Sequence, residues 1–99
     1  MKSTHMVNDE GWVTGGATSG LGLAINWQNG PLQDGEANGA TIEDVIGAAI
    51  ERLEVFQAND KSKNAFNAQA LVYLYNALTA LQERTRDRLH RGVEGKYEA

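Results

Sequence analysis

Ninety-nine residues make one domain, and a chain this short buries so little surface that its core alone is marginal. It has no cysteine, hence no disulfide framework and no thiolate metal site. Its apolar runs fall far short of a membrane span and no charged-then-apolar leader opens it, so the expectation is a soluble, cytosolic protein without membrane contact. A formal net charge of −4 argues against a general nucleic-acid binder, which needs a broad basic surface to displace counterions.

Residues 1–20 read as a flexible N-terminal arm, with Met1 to Met6 left outside the fold. Within it, Thr14-Gly15-Gly16 followed by Gly20-Leu21-Gly22 resembles the dinucleotide-binding turn of short-chain dehydrogenases. That turn works only between a buried parallel strand and a helix whose N-terminus faces a pyrophosphate. Here Val7 to Gly11 contains two acids, an asparagine and a glycine, and Asn29-Gly30-Pro31 arrives too soon for a crossover helix. The chain also lacks a Tyr-x-x-x-Lys pair. The glycine run therefore reads as linker-like chain, and the protein as a non-enzyme.

Leu21, Leu23, Ile25 and Trp27 alternate with small or polar residues, which predicts a strand over 21–28 with one apolar face. Trp12 and Val13 are candidates for a partner strand. Asn29-Gly30-Pro31 turns the chain, and Gln33 to Gly39 reads as loop. A helix over 41–57 opens at Thr41, a capping residue followed by Glu43 and Asp44 at the positive end of the dipole. Its apolar stripe runs Ile42, Val45, Ile46, Ala49, Leu53, Phe56. A charged, asparagine-rich connection over 58–65 reverses the chain. A second helix follows over 67–91, with Gly92 suited to a left-handed cap, Val93 folding back, and a short extended segment reaching Tyr97.

In the second helix, Leu71, Leu74, Leu78 and Leu81 share one face, and the same spacing continues to Thr85 and Arg88. Arg84, Arg88 and Arg91 are spaced i, i+4, i+7 and form a cationic row. Four of the nine basic residues lie within Arg84 to Arg91, which on an acidic chain suits a compact anion better than a polymer. The competing reading is structural: arginines are favoured at a helix C-terminus, and Glu83 and Asp87 offer local partners. Arg88 stands apart because it continues the leucine side, where a desolvated guanidinium without an anion is costly. Asn67 reads by itself as the cap of the second helix, and Phe56 as core. His5 and His90 lack ligand-spaced partners, and no serine, histidine and acid form a recognisable triad.

Two long amphipathic helices joined by a short connection make an antiparallel hairpin. The expected fold is α+β, a helical hairpin with a small N-terminal β element, in a single domain over 21–97. These pieces cannot enclose all their apolar side chains, so a dimer or larger oligomer is expected, with a ligand site between subunits.

The block Asn67, Ala70-Leu71, Ala77-Leu78, Leu81, Arg84-Thr85-Arg86-Asp87-Arg88 and Arg91-Gly92-Val93-Glu94-Gly95 resembles the hairpin of the first type of bacteriophage Thoeris anti-defence proteins, which is shared with a phage anti-CBASS sponge. Upstream, Ile25-Asn26-Trp27-Gln28-Asn29-Gly30-Pro31, Ala37-Asn38-Gly39-Ala40 and Ile42-Glu43-Asp44-Val45-Ile46 stand in the family's order. The resemblance implies a cofactor-free sponge in the cytoplasm of the infected bacterial host. It would bind an immune cyclic nucleotide, such as a cyclic ADP-ribose isomer or a cyclic oligonucleotide, and hold it uncleaved. It implies a homodimer, or a hexamer built as a trimer of dimers. It assigns ligand binding to Arg84, Arg88 and Asn67, with Phe56 against the base; Arg91 completes the cationic row. The stretch Lys61-Ser62-Lys63-Asn64-Ala65-Phe66 departs from the family pattern. The alternative is a structural or regulatory phage protein whose hairpin is an assembly surface.

Overall fold

The computed structural model describes residues 1–30 and 37–92. Strands β1 (Lys2–Val7), β2 (Val13–Gly20) and β3 (Leu23–Asn26) form an antiparallel sheet in the order β1-β2-β3. Helices α1 (Ile42–Ala58) and α2 (Ala65–His90) follow. The chain is α+β, in agreement with its sequence.

The first twenty residues depart most from the sequence reading: they are two paired strands instead of a flexible arm. Asn8 closes the β1–β2 hairpin by accepting the N–H groups of Glu10 and Trp12 on its Oδ1, each at 3.0 Å, while Gly11 adopts φ +89°. Pairing then runs from Lys2 opposite Ser19 to Val7 opposite Val13, with a register shift between His5 and Val7. Gly16 permits this approach. Its φ is +141°, and a Cβ there would stand 2.1 Å from the Thr4 carbonyl oxygen. A strand built on Thr14-Gly15-Gly16 has no alternating apolar side chains, so periodicity cannot reveal it. Its glycines serve close backbone pairing, and the segment leads into a hairpin turn, not a phosphate-cradling helix.

Val13 does open a strand that partners the 21–28 region, as the sequence suggested. That region forms a shorter strand than expected. Leu21 is fully exposed in the turn beside Gly22, which takes φ +78°, and β3 spans Leu23–Asn26. Trp27 follows, with its indole N–H donating to Thr18 Oγ1 at 2.8 Å; Ser3 Oγ lies 3.1 Å from the same hydroxyl. Thr18 is buried, so one satisfied hydroxyl ties together β1, β2 and the residue that follows β3. The backbone then bridges to Ala40: Gln28 N–H donates to Ala40 O at 2.8 Å, and Ala40 N–H to Asn26 O at 2.7 Å. Gln28 Oε1 accepts the N–H groups of Asn38 and Gly39, and Asn38 Oδ1 accepts that of Asn29.

Two units emerge. Among the described residues, those up to Thr41 together with 88–92 form one; Ile42–Asp87 forms the other. Thr41 immediately precedes α1 in the N-cap position, and Glu43 and Asp44 occupy the first turn, as expected. The start of α2 corrects the sequence reading. It begins at Ala65, and its cap is Asn64, whose Oδ1 accepts the Asn67 N–H at 2.8 Å. The Gln57 amide brackets the same residue, donating to Asn64 O at 3.1 Å and accepting Asn64 N–H at 3.0 Å. At the other end Gly92 takes φ +74° and donates its N–H to Leu89 O at 3.0 Å, the left-handed cap that glycine favours. The Val93 fold-back and the segment to Tyr97 lie outside the described residues, as do 31–36 of the expected loop.

Gln57 meets Asn64 at one end of the pair and Glu43 meets Arg84 at the other, so α1 and α2 run antiparallel. Each carries a narrow protected stripe. On α2 it is Leu71, Leu74, Leu78, Leu81, Thr85 and Arg88, all half-buried at the spacing read from the sequence. On α1 it is Val45, Ile46, Ile50 and Leu53, with Ile50 only 5% exposed. Ile42, Ala49 and Phe56, expected on that stripe, are exposed instead. Tyr75 on α2 faces Glu54 on α1. Loss of hydration, then the Glu54 charge and its hydrogen bond, hold the phenol above its ordinary range.

Candidate anion-binding site

The end of α2 concentrates cationic side chains because the helical repeat places Arg84 and Arg88 one turn apart, and Arg91 directly follows the last helical residue, His90. Positive charge here also complements the negative end of the helix dipole. The four arginines of this stretch sit in different environments. Arg84 lies 3.4 Å from Glu43 Oε1, reaching from the end of α2 to the first turn of α1, with side chains 52% and 31% exposed. Arg86 pairs with Glu83 on the same helix, both exposed. Arg88 is half-buried at the end of the leucine stripe, and its Nε is shielded from solvent. Arg91 is exposed.

A guanidinium presents a rigid fork of donors that matches phosphate oxygens two at a time. Arg88 satisfies the physical requirement best. Its stem continues an apolar face, so a bound anion there meets a partly desolvated cation, where Coulomb attraction exceeds its value in bulk water.

The other two candidates lie elsewhere in the chain. Asn67 stands seventeen positions before Arg84 on α2, about 25 Å along a helix rising 1.5 Å per residue. Its Nδ2 donates to Ser62 O at 3.2 Å, so half its amide already serves the inter-helix turn. Phe56 is close by in sequence and structure: its carbonyl accepts a hydrogen bond from Ser62 Oγ at 2.8 Å, and the residue is 40% exposed. Phe66, in the first turn of α2, is 82% exposed. One chain thus carries two separate clusters, Asn67 with Phe56 at the turn and the arginines at the opposite end of α2. It does not bring all the sequence candidates together.

Sequence reasoning missed Glu43 as the partner of Arg84, because the two stand 41 residues apart and no local spacing links them. It also missed how the Lys61–Phe66 stretch is held. Asn59 accepts Lys61 N–H on its side chain and Ser62 and Lys63 N–H groups on its carbonyl, and Lys63 pairs with Asp60 at 3.0 Å. The repeated asparagines are the available signal, since asparagine bonds its own turn. Among the described residues no group of three His, Cys, Asp or Glu is placed to hold a metal ion, and no helix is long and apolar enough to cross a membrane.

These features define a class: a small α+β chain in which a three-stranded sheet precedes an antiparallel helical pair with an arginine-rich end. No family model matches the chain. It is 43% identical over 74 residues to Thoeris anti-defense 1 of Bacillus phage SBSphiJ7, a match that covers 75% of this chain and 51% of that protein. The chain therefore spans about half the length of the curated relative it matches. Over this matched stretch the similarity supports the Thoeris anti-defence family that the sequence resembles.

Proposed function

We propose that the chain is a bacteriophage anti-defence protein that binds a cyclic nucleotide immune signal and sequesters it uncleaved in the cytoplasm of the infected bacterium. The observation that carries the reading is the 43% identity to Thoeris anti-defense 1. The half-buried Arg88 supports its chemistry, since a partly desolvated guanidinium suits the phosphates of a cyclic ADP-ribose isomer or a cyclic oligonucleotide. Sequestration is stoichiometric, and no bond of the ligand is broken.

The separation of Asn67 and Phe56 from the arginines favours a site shared between subunits, in which the turn of one chain meets the arginine end of another. Exposed Val55, Phe56, Phe66, Val72 and Tyr73 supply apolar surface for such a homodimer, or for a hexamer of three dimers. The Arg84–Glu43 pair favours a second reading, a structural or regulatory phage protein whose arginines serve only its own carboxylates and whose hairpin is an assembly surface. The two part in a cell. Expression of the chain in bacteria protected by a Thoeris system should restore plaque formation by a sensitive phage. Unchanged protection, with the protein present and folded, supports the assembly reading.

A further inference from the structure

Arg84 and Glu43 form an ion pair that links α1 to α2, and it engages the end of α2 that carries the candidate site. Glu43 is well placed to hold a charge. It lies in the first turn of α1 beside Asp44, where the positive end of the helix dipole favours a carboxylate, and its side chain is 31% exposed. Arg84, on the flank of the stripe that ends at Arg88, is 52% exposed and so reachable from solvent.

From this geometry we infer that Glu43 is an internal counter-anion of the site. It occupies the Arg84 guanidinium until a ligand phosphate displaces it, so that binding is an exchange of one anion for another. The inference rests on the cyclic-nucleotide reading and adds to it a residue that sets affinity by competition. At 3.4 Å, with both groups partly hydrated, the contact is a loose one. A doubly coordinated phosphate has the stronger hold on a guanidinium and wins the exchange. The exchange has an electrostatic signature. With Glu43 in place the ligand enters a locally neutralised position. Without its charge the ligand meets a bare cation, and attraction becomes both stronger and more sensitive to salt.

The test is calorimetric titration of wild type, Glu43→Gln and Arg84→Ala with glycocyclic ADP-ribose, a cyclic dinucleotide and a cyclic trinucleotide as probes, at low and high salt. Circular dichroism confirms the fold of each variant. Glu43→Gln is expected to bind the preferred probe more tightly, by up to about fivefold, which corresponds to the worth of an exposed ion pair. Its affinity should also fall more steeply with salt than that of wild type, a change that a merely structural glutamate would not produce. If Glu43→Gln binds no tighter while Arg84→Ala binds weakly, the counter-anion role is overturned and the site stands. If Arg84→Ala binds as wild type does, or if wild type binds no probe, the site itself falls and the inference with it.

Discussion

Replacing Arg88 with alanine should weaken retention of the cyclic nucleotide by about tenfold to a hundredfold, the worth of one charge-assisted contact, without unfolding the chain. The expectation follows from where the residue stands. Arg88 is half-buried at the end of the α2 leucine stripe with its Nε shielded from solvent, whereas Arg86 is exposed. Arg86→Ala is therefore the matched control. It removes the same charge from the same helix end, so long-range electrostatics change equally while the direct contact does not. Equal losses in the two variants would mean that the site is a diffuse field and not a clamp. Equilibrium binding at fixed salt, with helix content followed by circular dichroism, distinguishes the outcomes. An unfolding of Arg88→Ala would instead assign the residue to stability.

Gly16→Ala should be far more damaging than Gly11→Ala, although both glycines have positive φ. At Gly11 a Cβ meets nothing within 4 Å, so the substitution costs only backbone strain, about 1 kcal/mol. At Gly16 the Cβ would stand 2.1 Å from Thr4 O and 3.2 Å from the His5 Cα, all backbone that cannot swing aside. Relief requires β1 to leave β2, at a cost of at least about 2–3 kcal/mol. In a domain of this size that lowers the melting temperature by about 10 °C or more. Thermal unfolding gives the totals, and amide exchange of Ser3 to His5 reports whether β1 has detached. Similar small shifts in both variants would show that the first strand does not pair as described.

What the sequence reveals and what it hides divide along physical lines. The α2 stripe is legible because leucines at steps of three and four leave one geometric solution, and Thr85 and Arg88 do continue it. The left-handed cap at Gly92 is legible because few other residues adopt φ +74° at small cost. The sheet at residues 2–20 is hidden, since its central strand is mostly threonine, glycine and serine with no apolar period, and its reason for being a strand lies in Thr4, Trp27 and the Thr18 hydroxyl. The cap of α2 is misplaced by three positions because Asn64 and Asn67 are chemically equal candidates, and only the Gln57 bracket around Asn64 decides between them. Phe56 reads as stripe by hydrophobicity alone. The protected face of α1 is narrower, running through Val45, Ile46, Ile50 and Leu53, and Phe56 falls on its flank.

The site shows the same division. Local spacing picks out Arg84, Arg88 and Arg91, and the resemblance adds Asn67 and Phe56. That these belong to opposite ends of one helical pair emerges only when α2 is seen to run unbroken from Ala65 to His90. The distance between the two clusters turns a list of candidates into a requirement for a second chain, if all of them serve one ligand.

The most direct test of sequestration is recovery of the captured molecule. The purified protein is incubated with extract from infected bacteria in which the Thoeris signal has been made, washed, and heated to denature it; the supernatant is then analysed by mass spectrometry and assayed on the signal-dependent effector. Intact cyclic nucleotide, released in amounts stoichiometric with the protein and able to activate the effector, is the expected result. Recovery of only a hydrolysed product would contradict sequestration and make the chain an enzyme, and recovery of no nucleotide at all would leave the arginine end of α2 to its own carboxylates.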